Sequence, residues 1–431
     1  MELLPVLILV ISFFILLAIG VPVAWSLGIS STLTILISLN SLTGLITIAQ
    51  RMATGVNSFT LLAIPFFILA GKIMNRGGIA ERLIEFAKTL IGSLPGGLAY
   101  VNVVAAMLFG AISGSAVAAA SAIGPMLGPR MEKEGYDRAF GAAINITSST
   151  TGLIIPPSNT LIVYSLASGG VSIGALFVAG YIPGILTGLA LMIVAAFWAK
   201  RKGLPVGEKS TVKEVLSAFI KAIPSLLMLV IVIGGIIAGL FTATEAAAVA
   251  VVYALLLALY YGELSLKILE KTLIDAVGTT AIVMLLIATS IALSWVMSFE
   301  SIPQNVSAAL LSLSSNPIII LLMINFILLV VGMFMYMTPA VLIFTPIFLP
   351  IVTELGIDPV HFGIVMVMNL CVGICTPPVG SLLFVGVSVA KTSISKVLKP
   401  ILPMYLAMVV ILLAVTFWPV LSLWLPGLFG L

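Results

Sequence analysis

The stretch "CVGICTPPVGSLLF", residues 371–384, is apolar at both ends and interrupted by two adjacent prolines, with glycines on either side at 373 and 380. Proline has no amide hydrogen, and its ring clashes with the carbonyl four residues back. The residue before each proline is also pushed away from helical geometry. A segment built for apolar surroundings therefore breaks its own backbone hydrogen bonding here. A second stretch, "TTGLIIPPSNTLIV" at 150–163, has the same construction about 221 residues earlier.

The rest of the chain says what surrounds these breaks. Its 431 residues are 61% hydrophobic and 8% charged, and the mean hydropathy is +1.31. Soluble domains carry about 25% charged residues, and much of a soluble surface must face water. Apolar runs of about 18 residues or more recur, the length that crosses a bilayer. The composition reads as an all-α polytopic membrane protein, with the lipid bilayer as its solvent. The net charge of +4 lies in short Lys/Arg clusters between apolar runs, which is membrane anchoring and gives no reason to expect a nucleic acid. Cys371 and Cys375 share one apolar segment and read as small buried hydrophobes. The single His361 makes no metal site. The amino terminus lacks a basic leader region and a small-residue cleavage site, so it reads as a retained first span.

Apolar segments predict 11 to 12 spans plus broken pieces near 113–129, 158–168, 338–352 and 380–390. The tail 211–223 after the polar loop reads as an interfacial amphipathic segment. Glu245, at the start of an apolar run, reads chiefly as a helix cap. Lys and Arg fall in 72–88, 130–138, 200–221, 267–271 and 391–399, and are missing from 168–173, 241–244, 298–316 and 353–359. The first set is expected in the cytoplasm and the second outside.

Landmarks recur at one offset. Gly110 matches Gly332, Gly141 matches Gly363, Gly152 matches Gly373, and the Pro156–Pro157 pair matches Pro377–Pro378, always 221 or 222 residues apart. The matched loops differ in charge: 130–138 is basic, whereas 353–359 holds Glu354 and Asp358. Matched loops on opposite sides of the membrane define an inverted-topology repeat, an arrangement of secondary transporters. The expected organisation is N-terminal scaffold helices over 1–92, a first transport repeat with its hairpin over 93–200, central scaffold helices over 201–297, a second transport repeat over 298–400 and a C-terminal scaffold helix over 401–431.

Broken backbone at membrane depth needs another partner for its carbonyls. Sodium, a hard cation that prefers oxygen, is such a partner. The expected first site comprises Gly110, Ser113, Gly152, Ile155 and Pro156, and the second Gly332, Thr338, Gly373, Thr376 and Val379. The alternative for each small residue is close helix packing. Neither motif holds an Asp or Glu pair, which disfavours a carboxylate proton relay and points to sodium. Ser148, Ser149, Asn159 and Ser381 are the expected contacts for an anionic substrate held at half-helix ends. An anion channel and a structural membrane subunit are the rival classes. No enzymatic constellation and no organic cofactor are expected.

The runs "LLAIPFFILAGKIMNRGG" (61–78), "FGAISGSAVAAASAIG" (109–124), "GLIIPPSN" (152–159), "GLFTATEAAAVAVVYAL" (239–255) and "LGIDPVHFGIVMVMNLCVGICTPPVG" (355–380) resemble the large membrane subunit of TRAP transporters, the tripartite ATP-independent periplasmic transporters. The resemblance covers the whole chain. It implies sodium-driven uptake across a bacterial inner membrane by an elevator-type movement, with two re-entrant hairpins. It also implies a small four-helix membrane subunit, here a separate polypeptide, and a soluble periplasmic substrate-binding protein. Members for C4-dicarboxylates commonly have His where this chain has Thr376, and "CTPPVGSLLFVG" is similar to the sialic-acid members. The resemblance thus implies sialic acid, with a C4-dicarboxylate as the alternative.

Overall fold

A computed structural model describes residues 3–39, 41–204, 206–207, 209–314 and 316–431. Five helices come first: α1 (Leu3–Ala18), α2 (Val23–Ser38), α3 (Ser41–Val56), α4 (Ala63–Arg76), which a 3-10 turn over Phe59–Leu62 precedes, and α5 (Ile79–Ile91). Next, α6 (Gly97–Ser113) and α7 (Ala116–Lys133) fold back on each other about Gly114, whose φ of 59° suits a residue without a Cβ. Then α8 (Arg138–Ser149) and the single turn α9 (Thr151–Ile154) run into the first Pro-Pro pair, and α10 (Asn159–Ala167) leaves it. Five more helices follow: α11 (Ile173–Lys202), α12 (Val212–Ile237), α13 (Ala243–Tyr260), α14 (Leu266–Phe299) and α15 (Ile302–Leu313). Then the earlier order returns: α16 (Pro317–Phe334) and α17 (Met337–Glu354) fold back, α18 (Pro359–Gly373) meets the second Pro-Pro pair, α19 (Ser381–Val389) leaves it, and α20 (Ile394–Phe417) and α21 (Val420–Leu428) close the chain.

The chain is an all-α polytopic membrane protein. Among the described residues, eight helices are long and apolar enough to cross a membrane, and four shorter apolar helices account for further hydrophobic runs. The 11 to 12 spans suggested by the sequence correspond to these eight long helices taken together with the shorter apolar ones. Two pieces expected to be irregular, 113–129 and 338–352, instead lie largely in the regular helices α7 and α17. The tail at 211–223 is the first half of α12, a continuous helix of 26 residues. The Thr211–Glu214 capping box at its start satisfies orphan amides of its first turn. Glu245 caps α13: its carboxylate accepts from the Thr242 amide at 2.8 Å, and its own amide donates to Thr242 Oγ1.

α4 packs along α13 and α14, and α14 also carries α2 and α3 on its flank. Arg76 joins α4 to α14 through Asp275 at 2.5 Å and Thr272 at 2.9 Å. The buried centre is made by α6, α8, α9, α11, α18 and α20. Within it, α10 packs on α17 and α18, while α19 packs on α7 and α8. Each half-helix that leaves a break therefore lies against the helices of the other half of the chain.

Candidate functional site

Both breaks are built around a glycine crossing. Gly110 of α6 lies against Gly152 of α9 so closely that a Cβ on Gly110 would sit 2.3 Å from the Gly152 Cα. Gly332 of α16 meets Gly373 of α18 in the same way, with a Cβ on Gly373 reaching 2.5 Å from the Gly332 Cα. Real Cβ atoms do not approach backbone so closely, so each crossing requires glycine on both helices. The Pro156–Pro157 and Pro377–Pro378 peptides that follow are both cis.

At the first break, Pro156 and Pro157 have no amide hydrogen to return to the carbonyls of Gly152 and Leu153. The Ser158 hydroxyl donates to the Leu153 carbonyl at 2.6 Å instead. Ile155, still bonded through its amide to the Thr151 carbonyl, is extended at the end of α9. The Gly114 turn lies beside it: a Cβ there would be 3.0 Å from the Pro157 carbonyl and 3.5 Å from the Asn159 side-chain nitrogen. Ser113, 5% exposed, ends α6 at this turn. The structure thus gathers Gly110, Ser113, Gly152, Ile155 and Pro156 around one junction, and brings in Asn159. The Asn159 Oδ1 is buried without a hydrogen-bond partner.

The second break is better satisfied from within the protein. The Thr376 hydroxyl donates to the Val372 carbonyl at 2.7 Å, and its amide donates to the Gly373 carbonyl at 2.8 Å. The Leu382 amide donates to Ile374, and the Tyr405 hydroxyl donates to Cys375. The Gly380 amide reaches the Met333 carbonyl at 3.1 Å, which ties the break to the α16–α17 turn. Gly332, Gly373 and Thr376 are thus brought together. Thr338 is half-buried as the second residue of α17, and Val379 is 44% exposed at the apex of the break. Carbonyls and a hydroxyl that already serve one hydrogen bond retain lone pairs for a cation. Ser381, the first residue of α19, has a buried Oγ without a partner. It stands 222 residues after Asn159, the first residue of α10.

Ser148 and Ser149, read from the sequence as anion contacts, are fully buried. Ser149 donates to the Asn145 carbonyl at 2.6 Å, and Ser148 donates to Asn102 Oδ1 at 2.9 Å. Both hydroxyls are engaged inside the helix packing in this conformation. The Ser148–Asn102 contact has a counterpart that sequence reasoning missed: Asn369 Nδ2 donates to Asn325 Oδ1 at 2.8 Å, between α18 and α16. Each clasp sits one turn before its glycine, Ser148 before Gly152 and Asn369 before Gly373. Proline spacing offers a further match, in the second arm of each hairpin. Pro125 and Pro129 lie inside α7, and Pro346 and Pro350 lie inside α17. Among the described residues, no cluster of three or more His, Cys, Asp or Glu could hold a metal ion. Any cation at the breaks would therefore be held by neutral oxygens.

The fold and this pair of broken helices define a helical membrane protein with polar atoms concentrated at two interruptions. Residues 10–421 match the family described as the tripartite ATP-independent periplasmic transporter, DctM component, and the chain belongs to that family. It is a transporter permease, not an enzyme. It is 55% identical to the uncharacterized protein YgiK of Salmonella typhimurium, over 99% of this chain and 98% of that one. It is 42% identical to the C4-dicarboxylate TRAP transporter large permease protein DctM of Pseudomonas aeruginosa, over 94% and 95% of the two chains. It is 40% identical to the sialic acid TRAP transporter large permease protein SiaM of Vibrio cholerae, over 95% and 96%. The YdaH transporter of Alcanivorax borkumensis has the same fold, with a TM-score of 0.64 at 13% identity, over 91% of this chain and 90% of that one.

Proposed function

We propose that this chain is the large membrane subunit that imports a small organic anion across a bacterial inner membrane by sodium symport, without ATP. Sodium is proposed to bind at the two breaks, with Gly110, Ser113, Gly152, Ile155 and Pro156 around one ion and Gly332, Thr338, Gly373, Thr376 and Val379 around the other. The observation that carries the reading is the matched pair of buried oxygens with no hydrogen-bond partner, Asn159 Oδ1 and Ser381 Oγ, each on the first residue of the helix that follows a Pro-Pro pair. A buried acceptor without a donor is destabilising unless something else meets it.

The movement is proposed to be an elevator-type displacement in which the two inverted transport repeats, 93–200 and 298–400, travel together against the scaffold helices. The exchange of α10 and α19 between the halves supports this: each packs on the other half's hairpin and broken helix. So does the approach of Cys371 Sγ to the Thr150 carbonyl at 3.7 Å, since those residues are 221 apart and occupy matched positions. An element meeting its own counterpart is what a two-fold axis requires. The proposed partners are the small four-helix membrane subunit and a periplasmic binding protein that delivers the anion.

The proposed substrate is sialic acid (N-acetylneuraminate), supported by Thr376 within "CTPPVGSLLFVG". The second reading is a C4-dicarboxylate carried by the same mechanism, which the likeness to the Pseudomonas protein favours. The test is competition. With its two partners in sodium-energised liposomes, labelled N-acetylneuraminate is taken up, and unlabelled N-acetylneuraminate suppresses the signal while succinate does not. Uptake of labelled succinate with no sialic-acid uptake would replace the first substrate with the second.

A further inference from the structure

The ends of α7, α8 and α19 that carry the basic loops, together with the first half of α6, enclose a cavity of about 360 Å3. None of the residues assigned above to the cation sites lines it. Its inner wall holds two buried side-chain amides, Asn102 and Asn145, which are 1% and 3% exposed. Asn145 donates through Nδ2 to the Ala120 carbonyl at 3.0 Å, and its Oδ1 has no partner. Asn102 already accepts the Ser148 hydroxyl at Oδ1, so what it can still offer a ligand is its N–H pair. The wall thus presents one donor group and one buried acceptor that lacks a donor.

The cavity's charged residues are unequal once their own contacts are counted. Glu132 pairs with Arg138 at 2.6 Å. The Asp137 carboxylate caps α8 by accepting from the Ala139 amide at 2.7 Å. Lys391 follows α19 in a left-handed conformation, with a φ of 50°, and takes part in neither of the ion pairs found among the described residues. Lys391 and Asp137 are thus the cavity's two charges outside an ion pair, and Asp137 is held at the start of α8 by the Ala139 amide. Gly128 lines the same cavity, and a Cβ there would meet nothing within 4 Å.

We infer that this cavity is a second binding site, on the cytoplasmic side, for a hydroxylated monocarboxylate. The carboxylate meets Lys391 and the Asn102 N–H groups, and a ligand hydroxyl donates to Asn145 Oδ1. An alkyl acid of the same length can satisfy the lysine but leaves the buried Oδ1 without a donor. The Ser148–Asn102 hydrogen bond places the cavity directly against α8, one turn before the first break. A solute released there toward the basic loops would enter it. The inference rests on the import reading for that direction of travel, whereas the ligand class follows from the cavity itself.

The full-length chain in lipid nanodiscs is titrated calorimetrically with D-gluconate, N-acetylneuraminate and hexanoate. This needs neither a sodium gradient nor the partners, so a failure of sodium coupling leaves it untouched, and sodium-driven uptake can hold even if this site fails. The expected result is binding of the hydroxylated acids, with hexanoate at least about tenfold weaker. Lys391→Gly is tolerated by the fold because glycine favours that backbone conformation. It weakens gluconate about tenfold, the equivalent of one lost charge-assisted contact. Gly128→Leu fills the open space and removes the event. Hexanoate binding as tight as gluconate, absence of gluconate binding to the unmodified chain, or identical titrations with both variants would overturn the inference.

Discussion

Thr376 carries two hydrogen bonds within its own turn, from its hydroxyl to Val372 and from its amide to Gly373. Its Oγ1 retains lone pairs for an ion. Thr376→Val keeps the shape and removes that oxygen. A lost ligand in a desolvated site costs about 1–3 kcal/mol, by analogy with an unsatisfied buried polar group. Apparent sodium affinity should then fall roughly 5- to 150-fold, read from uptake against sodium concentration. Ser113→Ala should do the same at the other break, by removing the hydroxyl that ends α6 in the first proposed site. Unchanged sodium dependence in both variants would remove these side chains from the ion sites. At this scale the sequence was only partly legible. Thr376 and Asn159 stand beside prolines and announce themselves. Asn102, Asn145, Asn325 and Asn369 lie inside apolar helices, where an isolated amide is ordinary until the helix it faces is known.

The elements were more legible, because prolines and glycines act through the backbone and leave a pattern in sequence. The Pro-Pro breaks end α9 and α18 where the sequence places them. The glycines at 110, 152, 332 and 373 prove to be crossings, a contact that spacing alone does not specify. The prolines four residues apart in α7 and α17 are a sequence signal at the same offset, though a search keyed on adjacent prolines does not use it. The basic segment 267–271 lies inside α14, a continuous helix of 34 residues that runs on past its apolar part. Hydropathy sees where lipid is expected, whereas the backbone continues to satisfy itself beyond it. Gly110→Ala tests the crossing. Its Cβ would press on backbone, which cannot rotate away, so the helices must part. We expect a loss of about 1–3 kcal/mol, measured as a lowered unfolding midpoint in detergent. Gly128→Ala, inside α7 where a Cβ meets open space, serves as the control and should leave the midpoint unchanged or slightly raised. Equal midpoints for all three proteins would show that the crossing is looser than described.

For the whole molecule, the account requires matched loops to face opposite sides of the membrane. In a Cys371→Ser, Cys375→Ser background, both positions being buried, a cysteine at 134 should react with an impermeant thiol reagent only from the cytoplasm. A cysteine at 356 should react only from outside. Labelling of both from one side would leave two similar halves without inversion. The central claim, that a sodium gradient drives the anion, is tested most directly by reversing that gradient in liposomes holding the chain and its two partners. With sodium high outside and the binding protein present, labelled anion should accumulate without ATP. Dissipating the sodium gradient while keeping the proton gradient should stop accumulation, and sodium high inside should prevent it. Accumulation that is indifferent to the direction of the sodium gradient, or that persists on a proton gradient alone, would contradict the account.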